Sequence, residues 1–181
     1  MNIFLIGFMG TGKSTISAVL GKELSTEVIE MDELIVKRQE MPISQIFETR
    51  GEEYFRELET GLLVELQQRD GVIVSCGGGT PMRECNVAEM KKSGIIVLLT
   101  ARPETIFERV RYSHNRPLIE HNKTVEYIAE LLEKRREKYE TAADVTIATD
   151  GKDTREICRE IQDSVKEWEK QSMLHQRAAE L

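Results

Sequence analysis

Short apolar runs alternate with longer stretches of helical periodicity along the chain. The apolar, β-prone runs lie at residues 2–6, 27–31, 72–75, 95–99 and 144–148. Apolar positions at helical spacing predict helices over 13–24, 32–40, 52–69, 86–92, 103–111, 124–140 and 153–170. Strands that alternate with helices predict right-handed crossovers and a mainly parallel sheet covered on both faces. The fold class is therefore α/β, in one domain over residues 1–170, followed by a C-terminal tail over 171–181.

Composition and charge limit the cellular environments and binding partners that we expect for this protein. The chain has 181 residues, 40% of them hydrophobic, and a net charge of −7, so we expect no broad affinity for nucleic acid or anionic membranes. Its three cysteines lack metal-ligand spacing, and their odd number argues against a disulfide framework. No apolar run is long enough to span a bilayer, and MNIFLIGFM is better explained as a core strand than as a signal peptide. We expect a cytoplasmic protein.

The stretch GFMGTGKST at residues 7–15 fits the phosphate-loop pattern G-x-x-x-x-G-K-[ST]. An apolar strand precedes it and a helical pattern follows, as this loop requires. Glycines let backbone N–H groups approach phosphate oxygens, and the helix N-terminus favours negative charge. Lys13 can reach the terminal phosphates, and the Ser14 hydroxyl can bind Mg²⁺. An ordinary glycine-rich turn is the plain alternative, but the pattern favours a nucleoside triphosphate site.

Several protein classes share this loop. A GTPase normally carries N-K-x-D, whereas Val125 stands at the Asp position of the nearest string here. A motor-type ATPase should place a carboxylate after an apolar strand, but residues 72–75 run into Cys76 and three glycines. The remaining class is a small-molecule or nucleotide kinase, which transfers the γ-phosphoryl group to a second substrate.

Candidates for the acceptor site follow the predicted strands. If the second strand continues through Asp32, Glu30 and Asp32 share a face, with Asp32 as a proton acceptor and Glu30 facing Mg²⁺. The alternative is an acidic first helical turn. Gly77, Gly78 and Gly79 allow positive φ and close approach to a ligand, or form a flexible turn.

Arg56 and Glu59 are three residues apart on one predicted helical face. A carboxylate that orients a guanidinium group suits capture of a substrate carboxylate. A solvated surface pair is the alternative from spacing alone.

Taken together, these motifs resemble the shikimate kinase family. The resemblance runs from Met1 to about Asp153 and includes GFMGTGKST, the carboxylate pair, RGEEYFRELE, CGGG, NRPLI and EKRREKY. It implies a three-layer P-loop kinase fold with a five-stranded parallel sheet, a substrate-binding region at about 32–60 and a mobile lid at about 111–124. The implied reaction converts ATP and shikimate to ADP and shikimate 3-phosphate, with Mg²⁺ as cofactor, in a monomer.

The resemblance also assigns roles to positions. It implies Asp32, Lys13 and Arg116 as catalytic residues, with Arg116 in the lid. Arg56, Arg135 and Gly78 would join Asp32 in binding shikimate, with Arg136 as the rival to Arg135. The supporting residues would be Glu59, Gly77 and Gly79. The ATP-binding set would comprise Gly10, Thr11, Gly12, Lys13, Ser14, Thr15, Arg109, Arg116 and Lys152.

One position departs from the family. Glu30 stands where the family usually has Asp, and would contact Mg²⁺ through water. Two other functions stay open: another small-molecule kinase, acting on a gluconate-like acid or an amino analogue of shikimate, and a catalytically weak nucleotide-binding regulator.

Overall fold

Five parallel strands form one sheet at the centre of the protein. The computed structural model describes residues 1–112, 122 and 124–179. Its strands are β1 (Asn2–Ile6), β2 (Val28–Glu30), β3 (Ile73–Ser75), β4 (Gly94–Thr100) and β5 (Val145–Ala148), in the order β2-β3-β1-β4-β5. Every neighbouring pair is parallel. The predicted five-stranded parallel sheet is confirmed.

Eight helices connect and follow these strands in the described residues. They are α1 (Lys13–Leu24), α2 (Met31–Gln39), α3 (Ile43–Arg50), α4 (Glu52–Leu66), α5 (Glu84–Ser93), α6 (Pro103–Val110), α7 (Val125–Ala142) and α8 (Thr154–Ala179), with a 3-10 turn at Thr80–Met82. Helix α3, a helix of eight residues that buries only Ile46, was not predicted from the sequence. Helix α8 continues through most of the segment predicted as a tail.

Alternate strand residues build an apolar layer on each face of the sheet, since side chains along a strand point to opposite sides. On one face, Leu5 and Val97 pack with Ile16 of α1 and Ile161 of α8. On the other face, the remaining strand side chains pack against buried residues of α2 to α7, among them Met31, Ile46, Leu63, Met90, Ile106 and Ile128. The predicted three-layer arrangement is confirmed.

This topology places the functional segments at one edge of the sheet. Because all five strands are parallel, the segments that follow their carboxyl ends lie at that edge, where ligands collect in open α/β sheets. They include residues 7–12, 31–32, 76–79 and 149–151. None of the helices in the described part of the chain is long and apolar enough to cross a membrane.

Candidate active site

The loop after β1 has the backbone of a phosphate-binding turn. Gly7, Gly10 and Gly12 have φ values of 143°, 77° and 99°, which side-chain-bearing residues rarely adopt. A Cβ on Gly7 would lie 2.3 Å from the carbonyl oxygen of Leu99. Gly12 has no side chain to cap α1, so the N–H groups of the first helical turn donate no hydrogen bond to an N-cap side chain. This geometry supports the predicted phosphate loop.

Hydrogen bonds to the backbone of the loop hold the side chains of Lys13 and Thr11 in place. The Lys13 ammonium donates to the carbonyl oxygens of Gly7 at 2.8 Å and Phe8 at 3.1 Å. The buried Thr11 hydroxyl also donates to Phe8, at 2.8 Å, which closes the turn. Ser14 and Thr15 are at the start of α1, where Thr15 is exposed. Lys13 therefore lies across the loop, where a terminal phosphate would sit.

Oxygen donors suitable for Mg²⁺ lie beside the loop. The Ser14 hydroxyl donates to Glu30 Oε2 at 2.9 Å, and Ser17 Oγ lies 2.7 Å from Glu30 Oε1. The described residues contain no group of three or more His, Cys, Asp or Glu that could hold a metal alone. Mg²⁺ usually binds one or two carboxylates together with substrate phosphates and water. The donor set therefore fits a cation that arrives with a nucleotide.

Asp32 lies in a helix rather than in a strand. Strand β2 ends at Glu30, and Asp32 belongs to the first turn of α2, so the strand does not continue through Asp32 and the alternative of an acidic first helical turn is the one found. Met31 is fully buried in the core, while Asp32 and Glu33 favour the positive end of the helix dipole. The helical start still directs Asp32 toward the cleft: a Cβ on Gly77 would lie 2.7 Å from Asp32 Oδ1.

The surroundings of Asp32 favour its protonated form. Its pKa is raised, first by burial in the cleft and then by the negative charges of Glu59 and Glu30, while Lys13 and Arg56 act in the opposite direction. The side chain still reaches solvent, so burial alone does not set the effect. A raised pKa makes a carboxylate a stronger base.

Arg56 and Glu59 form a clamp at the wall of the cleft. Arg56 Nη1 donates to Glu59 Oε2 at 2.7 Å, and Arg56 Nη2 donates to Glu52 Oε1 at 2.9 Å. Glu59 is 0% exposed and Arg56 is 20% exposed, so the alternative of a solvated surface pair is wrong. Burial of a charge is tolerated when it is paired and hydrogen-bonded, as here.

The glycine run is shaped by this clamp. A Cβ on Gly79 would lie 2.5 Å from Arg56 Nη1, and one on Gly77 would lie 3.0 Å from Glu59 Oε1. None of Gly77, Gly78 and Gly79 has the positive φ that the sequence suggested. Close approach of side chains, rather than left-handed backbone, explains Gly77 and Gly79. A Cβ on Gly78 would have no neighbour closer than 3.7 Å, so the chain itself does not require glycine there.

A buried network behind the clamp was not predicted from the sequence. Thr80 donates to Glu59 Oε1 at 2.5 Å, and Asn86 donates to the Thr80 carbonyl at 2.9 Å. Thr60 in turn donates to Asn86 Oδ1 at 2.6 Å. The network ties α4, α5 and the glycine run together. Only the position of Thr80 directly after the glycines could have drawn attention to it.

Arg135 and Arg136 face different surroundings. Arg135 lies 5.8 Å from the ring of Phe8, and its positive charge acts on Tyr139, whose hydroxyl donates to the Gly78 carbonyl at 2.6 Å. Burial raises the pKa of Tyr139, so this hydroxyl stays protonated as a donor. Arg136 pairs with Glu133 and is 62% exposed. It lines a cavity of about 340 Å³ together with Phe8, Thr11 and Tyr139, and this lining includes none of Asp32, Arg56 and Gly78. The choice of Arg135 over Arg136 stays a prediction.

The remaining predicted nucleotide contacts lie at the same edge or outside the described residues. Arg109 Nη1 donates to the Gly10 carbonyl at 3.0 Å and to Thr149 Oγ1 at 3.1 Å, beside the phosphate loop. Lys152 pairs with Glu160 at 2.6 Å, at the start of α8. Arg116 and most of the predicted lid lie outside the described residues.

Comparison with known proteins decides the family. The family model described as "Shikimate kinase" matches residues 9–166. A shikimate kinase from Dehalococcoides mccartyi is 39% identical over 171 residues, which cover 94% of this chain and 97% of that protein. The chain belongs to the shikimate kinase family. Among solved structures, a shikimate kinase from Acinetobacter baumannii in complex with shikimate is 33% identical and has a TM-score of 0.82. The match covers 89% of this chain and 90% of that one.

Other neighbours show how far the fold extends beyond shikimate kinases. The shikimate kinase from Aquifex aeolicus has a TM-score of 0.77 at 35% identity, covering 92% of this chain and 96% of that one. A gluconokinase from Sinorhizobium meliloti has a TM-score of 0.63 at 18% identity, with 96% of each chain covered. The second likeness concerns the fold alone.

Proposed function

We propose that the protein is an ATP-dependent kinase that phosphorylates the 3-hydroxyl group of shikimate. The observation that supports this proposal most is that Asp32 and Arg56 lie against Gly77 and Gly79, while Arg135 lies beside Phe8 of the phosphate loop. An acceptor with a carboxylate and ring hydroxyls matches two guanidinium groups and one carboxylate base. Membership of the shikimate kinase family supports the same acceptor.

The clamp would bind the acceptor carboxylate. Guanidinium groups bind carboxylates through two parallel hydrogen bonds, which fixes the plane of the ligand as well as its position. Glu59 and Glu52 hold Arg56 in place before any ligand arrives, so little side-chain entropy remains to be lost on binding. Arg135 would grip the same carboxylate from α7, and the Gly78 backbone would contact the ring.

Asp32 would accept the proton of the attacking hydroxyl. The hydroxyl oxygen forms a bond to the γ-phosphorus, the bond from that phosphorus to the bridging oxygen breaks, and ADP leaves. Lys13 would offset charge on the transferred group. The triphosphate would be cradled by residues 10–15, with Arg109 and Lys152 near the adenine. Mg²⁺, bound by Ser14 and through water by Glu30, would supply further neutralisation of phosphate charge.

Several parts of the proposal rest on the family resemblance. Arg116 would close over the phosphates with the lid, which excludes water and suppresses ATP hydrolysis. The enzyme would act as a cytoplasmic monomer on small molecules, without nucleic acid or membrane partners.

An acceptor panel in a coupled ADP-release assay tests the proposal. We expect ATP turnover with shikimate to exceed turnover with gluconate-like acids or an amino analogue of shikimate by at least about 100-fold in kcat/KM, since buried polar groups reject a ligand that leaves them unpaired. Preference for another hydroxy acid would identify a different kinase. ATP binding with no turnover of any acceptor would identify a regulator.

A further inference from the structure

Both carboxylate oxygens of Glu30 are held by hydroxyl groups of one helix. Ser14 donates to Oε2 at 2.9 Å, and Ser17, one turn later on α1, has its Oγ 2.7 Å from Oε1. Ser17 is 0% exposed. Its Oγ is also 2.9 Å from the Ser14 carbonyl. Because a hydroxyl has one proton and a carboxylate is the stronger acceptor, the bond to Glu30 dominates.

We propose that Ser17 is a positioning residue for the magnesium site, acting through Glu30. Ser17 holds Oε1 of Glu30, so that Oε2 stays beside Ser14, where it would contact a water bound to the metal. The inference rests on the proposed phosphoryl transfer and deepens its metal site. Ser17 does not itself contact nucleotide or metal.

The length of Glu30 explains why such a residue is useful. A glutamate has one more methylene and one more rotatable bond than the aspartate usual in the family, so its carboxylate has more orientations available. A second hydroxyl that captures the far oxygen restricts those orientations. Glu30 ends β2 and Ser17 lies inside α1, so the bond also joins the two elements that flank the site.

Loss of the Ser17 hydroxyl has a defined consequence. Oε1 of the half-buried Glu30 would lose its donor, and an acceptor left without a partner away from bulk water is costly. The carboxylate would then turn toward solvent or toward Ser14, and the second oxygen would no longer be aimed at the metal-bound water. Metal affinity should fall while nucleotide affinity without metal is preserved, because the backbone cradle is unchanged.

Binding of Mn²⁺ to the enzyme–ADP complex, followed by electron paramagnetic resonance, tests the proposal without turnover. We expect Ser17→Ala to weaken Mn²⁺ binding by roughly tenfold, the scale of one lost hydrogen bond to a charged group. ADP affinity without metal should stay within about twofold of the original protein. Ser17→Gly also removes the hydroxyl, so the test stands if one of the two variants fails to fold. Ser93→Ala is the matched control, because Ser93 Oγ is buried without a hydrogen-bond partner among the described residues.

A double-mutant cycle separates positioning from helix packing. In a Glu30→Asp background the shorter carboxylate should not span both hydroxyls, so Ser17→Ala should change Mn²⁺ affinity by less than about twofold. Equal losses in both backgrounds, or no loss in either, would overturn the proposal. Failure of the original protein to bind Mn²⁺ with ADP would instead refute the metal site itself. The acceptor does not enter this experiment, so a wrong acceptor would leave its result intact.

Discussion

At the scale of single residues, the position of Asp32 in the cleft and the charges around it together raise the pKa of this carboxylate. Glu59 and Glu30 place negative charge near it, while Lys13 and Arg56 place positive charge near it. The net result is a raised pKa, to which burial contributes most. A carboxylate with a raised pKa accepts a proton more readily, as the role of base requires.

Substitution of Asp32 should separate chemistry from binding. We expect Asp32→Asn to lower kcat by about 10²–10⁴-fold, because the amide cannot accept the hydroxyl proton. ATP affinity should be preserved, since the phosphate loop is untouched. Steady-state kinetics together with calorimetric titration of a non-hydrolysable ATP analogue would measure both. Near-normal turnover would remove Asp32 from the role of base.

The pH profile should report the same carboxylate. Asp32 works when ionised, so activity should be lost as pH falls through its raised pKa, above the ordinary value of about 3.9. Glu59→Gln removes a charge that raises this pKa and should move the acid limb of kcat to lower pH. Glu52→Gln is the control, because Glu52 contacts Arg56 but does not contribute to the Asp32 shift. An acid limb that moves equally in both variants would contradict the assignment.

The raised pKa of Asp32 also affects the stability of the folded protein. The folded state binds the Asp32 proton more tightly than the unfolded chain, so ionised Asp32 destabilises the fold at neutral pH. That penalty is relieved as pH falls through the raised pKa. Such a cost is typical of functional carboxylates, which serve chemistry rather than stability.

At the scale of elements, the glycine run depends on partners that are distant in sequence. Gly79 approaches Arg56 of α4, and Gly78 accepts a hydrogen bond from Tyr139 of α7. Thr80 and Asn86 connect the run to Glu59 and α5. Periodicity identified the helices that carry these residues, but no local pattern shows which buried polar groups will meet. For the same reason Ser17 and Thr80 were not predicted as parts of the site.

Gly78 offers a test of the acceptor pocket at this scale. A Cβ there clashes with nothing in the chain, so Gly78→Ala should fold with a Tm within about 2 °C of the original. It should nevertheless weaken shikimate binding by at least about tenfold, because the methyl group enters the space proposed for the ring. Calorimetric titration measures the affinity and calorimetric unfolding the Tm.

Gly61 supplies the matched control. Gly61 lies on the exposed side of α4, away from the helix ends, and a Cβ there would also have no neighbour within 4 Å. Gly61→Ala should stabilise the protein by about 0.5–1 kcal/mol through helix propensity and leave shikimate affinity unchanged. Unchanged shikimate affinity in Gly78→Ala would remove Gly78 from the pocket.

At the scale of the whole molecule, the sequence predicted the fold better than the site. Alternating strand and helix patterns were sufficient for the five-stranded sheet, because a buried parallel strand must be apolar and a surface helix amphipathic. Helix α3, which has eight residues and buries only Ile46, was missed, and α2 begins at Met31, one residue before its predicted start. Tertiary packing of Met31 decided that boundary.

The residues of the candidate site come from different helices at one edge of the sheet. Arg56 and Arg135 come from helices α4 and α7, and Asp32 from α2. The spacing typical of the family already favoured Arg135 over Arg136, and in the structure Arg135 lies 5.8 Å from the ring of Phe8. The central claim is therefore that two guanidinium groups from separate helices bind one acceptor carboxylate.

Calorimetric titration of shikimate against three arginine variants tests that claim most directly. Arg56→Ala and Arg135→Ala should each weaken shikimate binding by at least about tenfold, the scale of a lost charged hydrogen-bond pair. ATP affinity should stay within about threefold in both variants. The Arg136 side chain is exposed and pairs with Glu133, so Arg136→Ala should bind shikimate as the original protein does. Equal losses for shikimate and ATP, or a loss confined to Arg136→Ala, would contradict the account.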